Sequence, residues 1–378
     1  MTWTTFAADA PRFVLPNNAL LLEGQRTNDV SNPRAEGLVA GNIGSGGAVP
    51  TGYTWTGLGT ATSTLTMVGV GTDLGLPYFD FRFEQPAGGD PTRFRFANSI
   101  AVTAGDSVTV SVFARLIAGS LSGNDQFGFV ITYDTADVSI TAFAPATGSL
   151  GRFSTTVTVP AGATTISAGL YLRAAAGVAA DVTVRIAAPQ LERGSLFAST
   201  PILPPAGTPG ASTRGHDNVS ASLTSLTIGD NGVCTVLLTG TLLNGAANIV
   251  RNIVQIDNGG LTNRYLLQVA QNVTQVRVQS VVSGLATGNA NMGAYAVNTP
   301  FRAGIALDGS GRAAASLDGN AVVAVTGGVT SGLTTLRLGM ASSAGASPMF
   351  GTISRLTVIP RTLSDAELQA AVAAFPST

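Results

Sequence analysis

Apolar and polar side chains alternate with a period of two through much of this chain. Ser107-Val108-Thr109-Val110-Ser111-Val112-Phe113-Ala114-Arg115 is the clearest case, with Val108, Val110, Val112 and Ala114 on one face and Thr109, Ser111 and Arg115 on the other. An extended backbone sorts neighbours in this way, so the run predicts a half-buried antiparallel strand. Comparable runs follow at 127–133, 152–159, 166–173 and 181–186, separated by Gly, Asn, Asp or Pro clusters. Beyond residue 215 the pattern restarts at 220–228, 234–243, 249–256, 265–269, 275–282, 301–307, 313–317, 333–338 and 351–359. Short strands at regular spacing with turn residues between them predict sandwiches. One stretch departs from this period. Ser364 with Glu367 three residues later spells a capping box, Leu363 and Leu368 flank it as a hydrophobic staple, and Pro376 stops the chain behind it. This predicts a helix of about three turns.

The expected fold class is therefore all-β: two antiparallel β-sandwich (jelly-roll) domains in tandem, with an extended N-terminal arm and one short C-terminal helix. Residues 1–35 read as the arm, because Pro11, Pro16 and Pro33 punctuate it and its apolar residues have no periodic partner nearby. The first sandwich spans 36–200 and the second 215–378. Between them, 201–214 opens with Pro201-Ile202-Leu203-Pro204-Pro205-Ala206-Gly207-Thr208-Pro209-Gly210, which predicts a semi-rigid spacer.

Composition narrows the function classes. A length of 378 residues suits two domains. Only 11% of residues are charged and the mean hydropathy is +0.32, so Thr, Ser, Asn and Gly must supply the solubility. Every apolar run is shorter than the roughly 18 residues of a membrane helix, which argues against membrane insertion. All the basic residues are Arg and the formal net charge is −1, so nothing attracts a phosphate backbone and nucleic-acid binding is disfavoured. Met1-Thr2-Trp3-Thr4-Thr5 lacks the basic start and apolar stretch of a secretory signal, which predicts assembly in the cytoplasm. Cys234 is the lone cysteine, set in Val233-Cys234-Thr235-Val236-Leu237-Leu238, and reads as a small buried hydrophobe.

Candidate chemistry is sparse. His216 beside Asp217 lacks a nucleophile in a suitable context. Asp80 and Glu84 share a strand face, but Arg82 falls between them there, which suits an ion-pair ladder better than a hydrolytic carboxylate pair. The chain is accordingly expected not to be an enzyme and to need no cofactor. Asp230, Asp257 and Asp308 stand in Asp-Asn-Gly or Asp-Gly turns; calcium is the ion such oxygen ligands would suit, although turn formation alone explains them. Sugars stack on exposed aromatics, and Tyr53 and Trp55 are alternate residues that share a face. Tyr265 and Tyr295 are the corresponding candidates in the second half.

The opening segment Phe13-Val14-Leu15-Pro16-Asn17-Asn18-Ala19-Leu20-Leu21-Leu22-Glu23-Gly24-Gln25-Arg26-Thr27-Asn28 resembles the start of many structural proteins of tailed phages and phage-like gene-transfer particles. Residues 101–115, 151–173 and 182–202, closing on Gln190, Leu191, Glu192, Gly194 and Ser199, resemble the carbohydrate-binding-module type of jelly roll. Phe301–Asp308, Leu317–Asn320 and 351–372 resemble the laminin-G or concanavalin-A-like lectin fold. Together these resemblances imply a non-enzymatic head spike or tail fibre, located in the virion and assembled in the bacterial cytoplasm. It would dock on other virion proteins through Trp3, Phe6, Phe13, Leu20, Leu22 and Arg26 and bind host-surface glycan. A polysaccharide depolymerase and a decoration protein without ligand are the alternatives, and homo-oligomerisation stays open.

Overall fold

A computed structural model describes residues 12–14, 18–57, 63–121, 124–135, 138–243, 250–270, 275–341 and 347–377. The chain divides into two units, one holding Arg26–Arg214 and the other Gly215–Thr378 with the segment ending at Gln25. Each is an antiparallel β-sandwich.

In the first unit a seven-stranded sheet runs in the order Gly151–Thr158, Ser107–Gly119, Ala180–Arg193, Leu76–Gln85, Thr64–Asp73, Gly41–Ile43 and Gly46–Gly47. The five-stranded sheet runs Val138–Ala142, Asn124–Tyr133, Thr165–Ala174, Thr92–Ala101 and Thr54–Gly57. Val108, Val110, Val112 and Ala114 point into the core, where they meet Phe79, Phe81, Phe83, Phe94 and Phe96. The hairpin joining Thr64–Asp73 to Leu76–Gln85 turns on Leu74 and Gly75, at φ 52° and 83°, a geometry whose twist matches that of the paired strands.

In the second unit the seven-stranded sheet runs Arg12–Val14, Ala19–Leu22, Gly351–Ile359, Cys234–Leu242, Pro300–Leu307, Ala313–Leu317 and Val323–Val325. The six-stranded sheet runs Val219–Ser222, Thr335–Leu338, Arg251–Asp257, Arg264–Val269, Gln275–Val282 and Leu285–Ala294. The helix forms at Asp365–Ala374 with the capping box in place, since Ser364 accepts from the Glu367 backbone and the Glu367 side chain accepts from Ser364 N. Its Leu368 and Val372, with Leu363, pack on Leu237, Ala306 and Ala314 on the back of the seven-stranded sheet. Gly304 makes room there, because a Cβ would lie 2.6 Å from Val372 Cγ2.

Two segments differ from their sequence reading. Ala19–Leu22 is a strand whose Leu20, Leu21 and Leu22 pair with Ile353, Thr352 and Gly351, and Leu22 is 1% exposed in the second core. The apolar run Ala19–Leu22, read as awaiting a neighbour, is thus covered by the chain itself, whereas Phe13 is exposed. Residues from Arg26 onward belong to the first unit, where Asn28 is fully buried. The Asn28 amide donates to Pro189 O at 3.1 Å and Ile202 O at 3.0 Å and accepts from Val30 N and Leu191 N, both at 3.0 Å. The Pro/Gly-rich stretch read as a spacer is a strap along this unit. Pro204 O accepts from Arg34, Gly207 N donates to Glu36, and Ser212–Arg214 pairs with Arg26–Asn28.

The run 220–228 is strand only over Val219–Ser222, then turns through Thr224–Leu226. Leu285–Ala294 is a strand that alternation did not mark, because Gly, Asn and Ala outnumber its apolar residues. Its signal was the Ser283-Gly284 pair, at φ 52° and 82°, a two-residue hairpin turn.

Asn28→Ala strands two donors and two acceptors, each costing about 1–3 kcal/mol when buried. Urea unfolding of the full chain is expected to show the first unit destabilised by about 3 kcal/mol or more. Ser364→Ala is expected to cost the second unit about 1 kcal/mol by the same measurement, through loss of the cap.

Candidate functional site

None of the four aromatic candidates is fully exposed: Tyr53 and Tyr265 are buried, Trp55 and Tyr295 half-buried. Tyr53 is 5% exposed, donates its hydroxyl to Asn32 O at 2.8 Å, and packs edge-on against Phe79 and Phe94. Trp55 is half-buried against Phe83 and Phe94. The two do share a face, but it is the inner one. Aromatic rings bury the most apolar area per residue and so are drawn to the core side of a strand. Tyr265 is 1% exposed and donates to Val329 O, and Tyr295 packs against the second core beside Arg251.

The three turn aspartates do not come together either. Asp257 is buried and accepts from Arg337 Nε at 2.8 Å, Gln255 Nε2 at 2.6 Å and Gly259 N at 2.7 Å. Asp308 accepts from Ser310 N and Oγ and from Arg312 N, which together hold its carboxyl below the usual range despite burial. Asp230 lies in a separate turn, its carbonyl accepting from Leu333 N. No group of three or more His, Cys, Asp or Glu suited to a metal exists among the described residues.

The carboxylates of the first unit are engaged as well. Arg82 pairs bidentately with Asp181 and reaches Glu84 at 2.9 Å, while Asp80 grips Arg185, which also meets Asp73 at 2.7 Å. The ladder read from the Asp80, Arg82, Glu84 spacing forms in part: Arg82 meets Glu84, but Asp80 is held by Arg185 from the neighbouring strand. A shallow hollow of about 530 Å³ in the second unit is lined by Ser354, Arg355, Leu356, Thr357, Phe375 and Pro376, with no carboxylate among them. Of the attachment candidates, Trp3 and Phe6 lie outside the described residues, and Leu20 and Leu22 belong to the paired strand just described. Arg26 lies 5.7 Å from the Phe197 ring, and Phe13 is 58% exposed on the outermost strand of its sheet.

What the sequence reading missed is a polar sheet face. In the second unit, side chains on the outer face of the six-stranded sheet form a row across Arg264–Val269, Gln275–Val282 and Leu285–Ala294. Directly opposed residues of an antiparallel pair share a face, which places Gln268 beside Arg277 and Gln279 beside Asn289. Gln268 and Gln279 meet at 2.8 Å, and Gln279 and Asn289 at 2.6 Å. With its amide turned so that oxygen faces Arg277, Gln268 accepts from Nε and Nη2 at 2.9 Å each and donates to Asn252 at 3.1 Å. That orientation is adopted because a guanidinium can only donate; it sets the Gln268 oxygen 2.8 Å from the Gln279 oxygen, so Gln279 and in turn Asn289 must turn their amides as well for the row to stay hydrogen-bonded. The amides then run in step from a half-buried arginine to Asn289 and Asn291, which are exposed on the edge strand. Each planar amide carries a donor and an acceptor side by side, a pairing able to meet hydroxyl groups, which both donate and accept.

No family model and no curated protein sequence matches the chain. Among solved structures it is similar to the carbohydrate-binding module CBM40 of the Ruminococcus gnavus IT-sialidase bound to α2,3-sialyllactose, with a TM-score of 0.32 and 15% identity over 41% of this chain and 92% of that one. A leech intramolecular trans-sialidase gives 0.31 and 14%, over 42% of this chain and 27% of its own. The tandem CBM22 modules of Paenibacillus barcinonensis Xyn10C give 0.27 and 10%, over 86% and 97%. Carbohydrate-binding modules thus recur among the similar structures, at scores too low to transfer a site.

Cys234 is buried, and desolvation pushes its thiol up to about 12. The native protein at pH 8 is expected to resist iodoacetamide, and the urea-unfolded chain to be alkylated stoichiometrically, as read by intact mass.

Proposed function

We propose that this chain is a non-enzymatic component of a phage or phage-like particle that binds host-surface polysaccharide. The observation that carries the binding half of this reading is the amide row Gln268, Gln279, Asn289 with Arg277, which ends in exposed groups on an open sheet edge. Such a row offers hydrogen bonds to sugar hydroxyls without an aromatic platform, so each copy binds weakly. Repetition on a particle raises the effective concentration of the next contact, which makes a weak site useful. The particle half of the reading is supported by the opening segment's resemblance to virion proteins, and by exposed Phe13 on an outermost strand, a place where a neighbouring particle protein can add.

The test is binding of the full chain to surface polysaccharide extracted from a host, by affinity electrophoresis, with Q279A/N289A as the variant. Loss of two charge-neutral hydrogen bonds, each about 0.5–1.5 kcal/mol, is expected to weaken binding about tenfold while the melting temperature holds. Equal retardation of variant and wild type would overturn the site. Absence of the chain from purified particles, by mass spectrometry, would overturn the particle role.

A further inference from the structure

On the outer face of the five-stranded sheet in the first unit, Arg93 stands opposite Thr56 and Tyr171, and Arg95 opposite Thr54 and Gly169. The two arginines are alternate residues on Thr92–Ala101, so their side chains leave the sheet on the same side, with Cα atoms about 6.6 Å apart. Both are half-buried, and the Nε of each is sealed from solvent with no hydrogen-bond partner. Neither has an ion pair among the described residues. The opposite sheet of the same unit differs: Arg82, Arg115, Arg185 and Arg193 each meet a carboxylate. Burial and the Arg93 charge together disfavour the protonated form of Arg95. Two like charges thus stand side by side with no anion supplied for them by the described residues. Two neutral threonines form the rim on the neighbouring edge strand, and Gly169 and Gly128 add no side chain beside Tyr171.

We propose that Arg93 and Arg95 form a binding site for the carboxylate of an acidic polysaccharide, with Thr54 and Thr56 at hand for the adjoining hydroxyls. Charge complementarity selects the occupant. A carboxylate bridging the two guanidinium groups relieves their repulsion and gains charge-assisted hydrogen bonds, which a neutral sugar cannot do. This site is separate from the amide row and stands whether or not that row binds.

The experiment compares wild type, R93Q/R95Q and Q279A/N289A by affinity electrophoresis through polygalacturonate and through dextran, at low and high salt. Polygalacturonate is expected to retard wild type and Q279A/N289A alike, to lose at least about tenfold in affinity for R93Q/R95Q, and to weaken as salt rises. Free galacturonate is expected to raise the melting temperature of wild type but not of R93Q/R95Q, whose own melting temperature should equal or exceed wild type because a repulsion has been removed. Equal retardation of R93Q/R95Q, or retardation of wild type by dextran alone, overturns the acidic site. So does finding that wild type ignores polygalacturonate but captures a carboxylate-rich particle protein through these arginines. Loss confined to Q279A/N289A bears on the amide row only.

Discussion

One buried amide organises the first unit. Asn28 has two donors and two acceptor sites, and all are used by backbone groups from three separate stretches of chain: Val30, the exit strand at Pro189 and Leu191, and Ile202 of the strap. Satisfied in this way, a buried amide costs little, whereas any one of its partners left alone would pay a full desolvation penalty. The clasp is reinforced around it. Asp29 N donates to Leu191 O and Asp29 takes Arg193 bidentately, while Gln190 and the buried Glu192 bind Ile202 and Ser199. The start and the end of the sandwich therefore close on each other, which leaves the sheets between them free to vary their outer faces.

The same logic recurs in the second unit with different groups. Glu23 N donates to the Asp217 carboxylate at 2.6 Å, and Asp217 N donates to Glu23 O at 3.0 Å. Ala19–Leu22 then continues as a strand beside Gly351–Ile359, so residues near the start of the chain complete the sheet that carries the closing helix. With the chain ends and the back face thus occupied by the chain itself, function is left to the outer faces and the outermost strands of the sheets. There the two units diverge. One presents a row of amides ending in exposed asparagines, and the other a pair of arginines that no described carboxylate pairs with.

The comparison of sequence and structure is instructive at particular residues. Alternation located the strand at Ser107–Gly119 and placed the right residues on one side, because period two is a property of extended backbone and needs no neighbour. It also paired Tyr53 with Trp55, yet could not say which side of their strand meets the core, since in so aromatic a setting both readings satisfy the pattern. The amide row was invisible for a different reason. Gln268, Gln279 and Asn289 are separated by two hairpins, and the strand carrying Asn289 has the composition of a loop. Arg93 and Arg95 were legible as alternate residues, but that no described carboxylate pairs with them depends on where the rest of the unit folds.

Local chemistry thus determined strands, turns and the capped helix, for these depend on backbone geometry and on side chains within a few residues. The phrases ending at Asn28 and beginning at Gln190 each stood out in the sequence by themselves. That they are two halves of one clasp, that the Pro/Gly stretch is a strap, and that the opening apolar run is covered by its own chain were decided only by tertiary structure. Burial and hydrogen-bond satisfaction are set by partners more than a hundred residues away, and no local pattern names those partners.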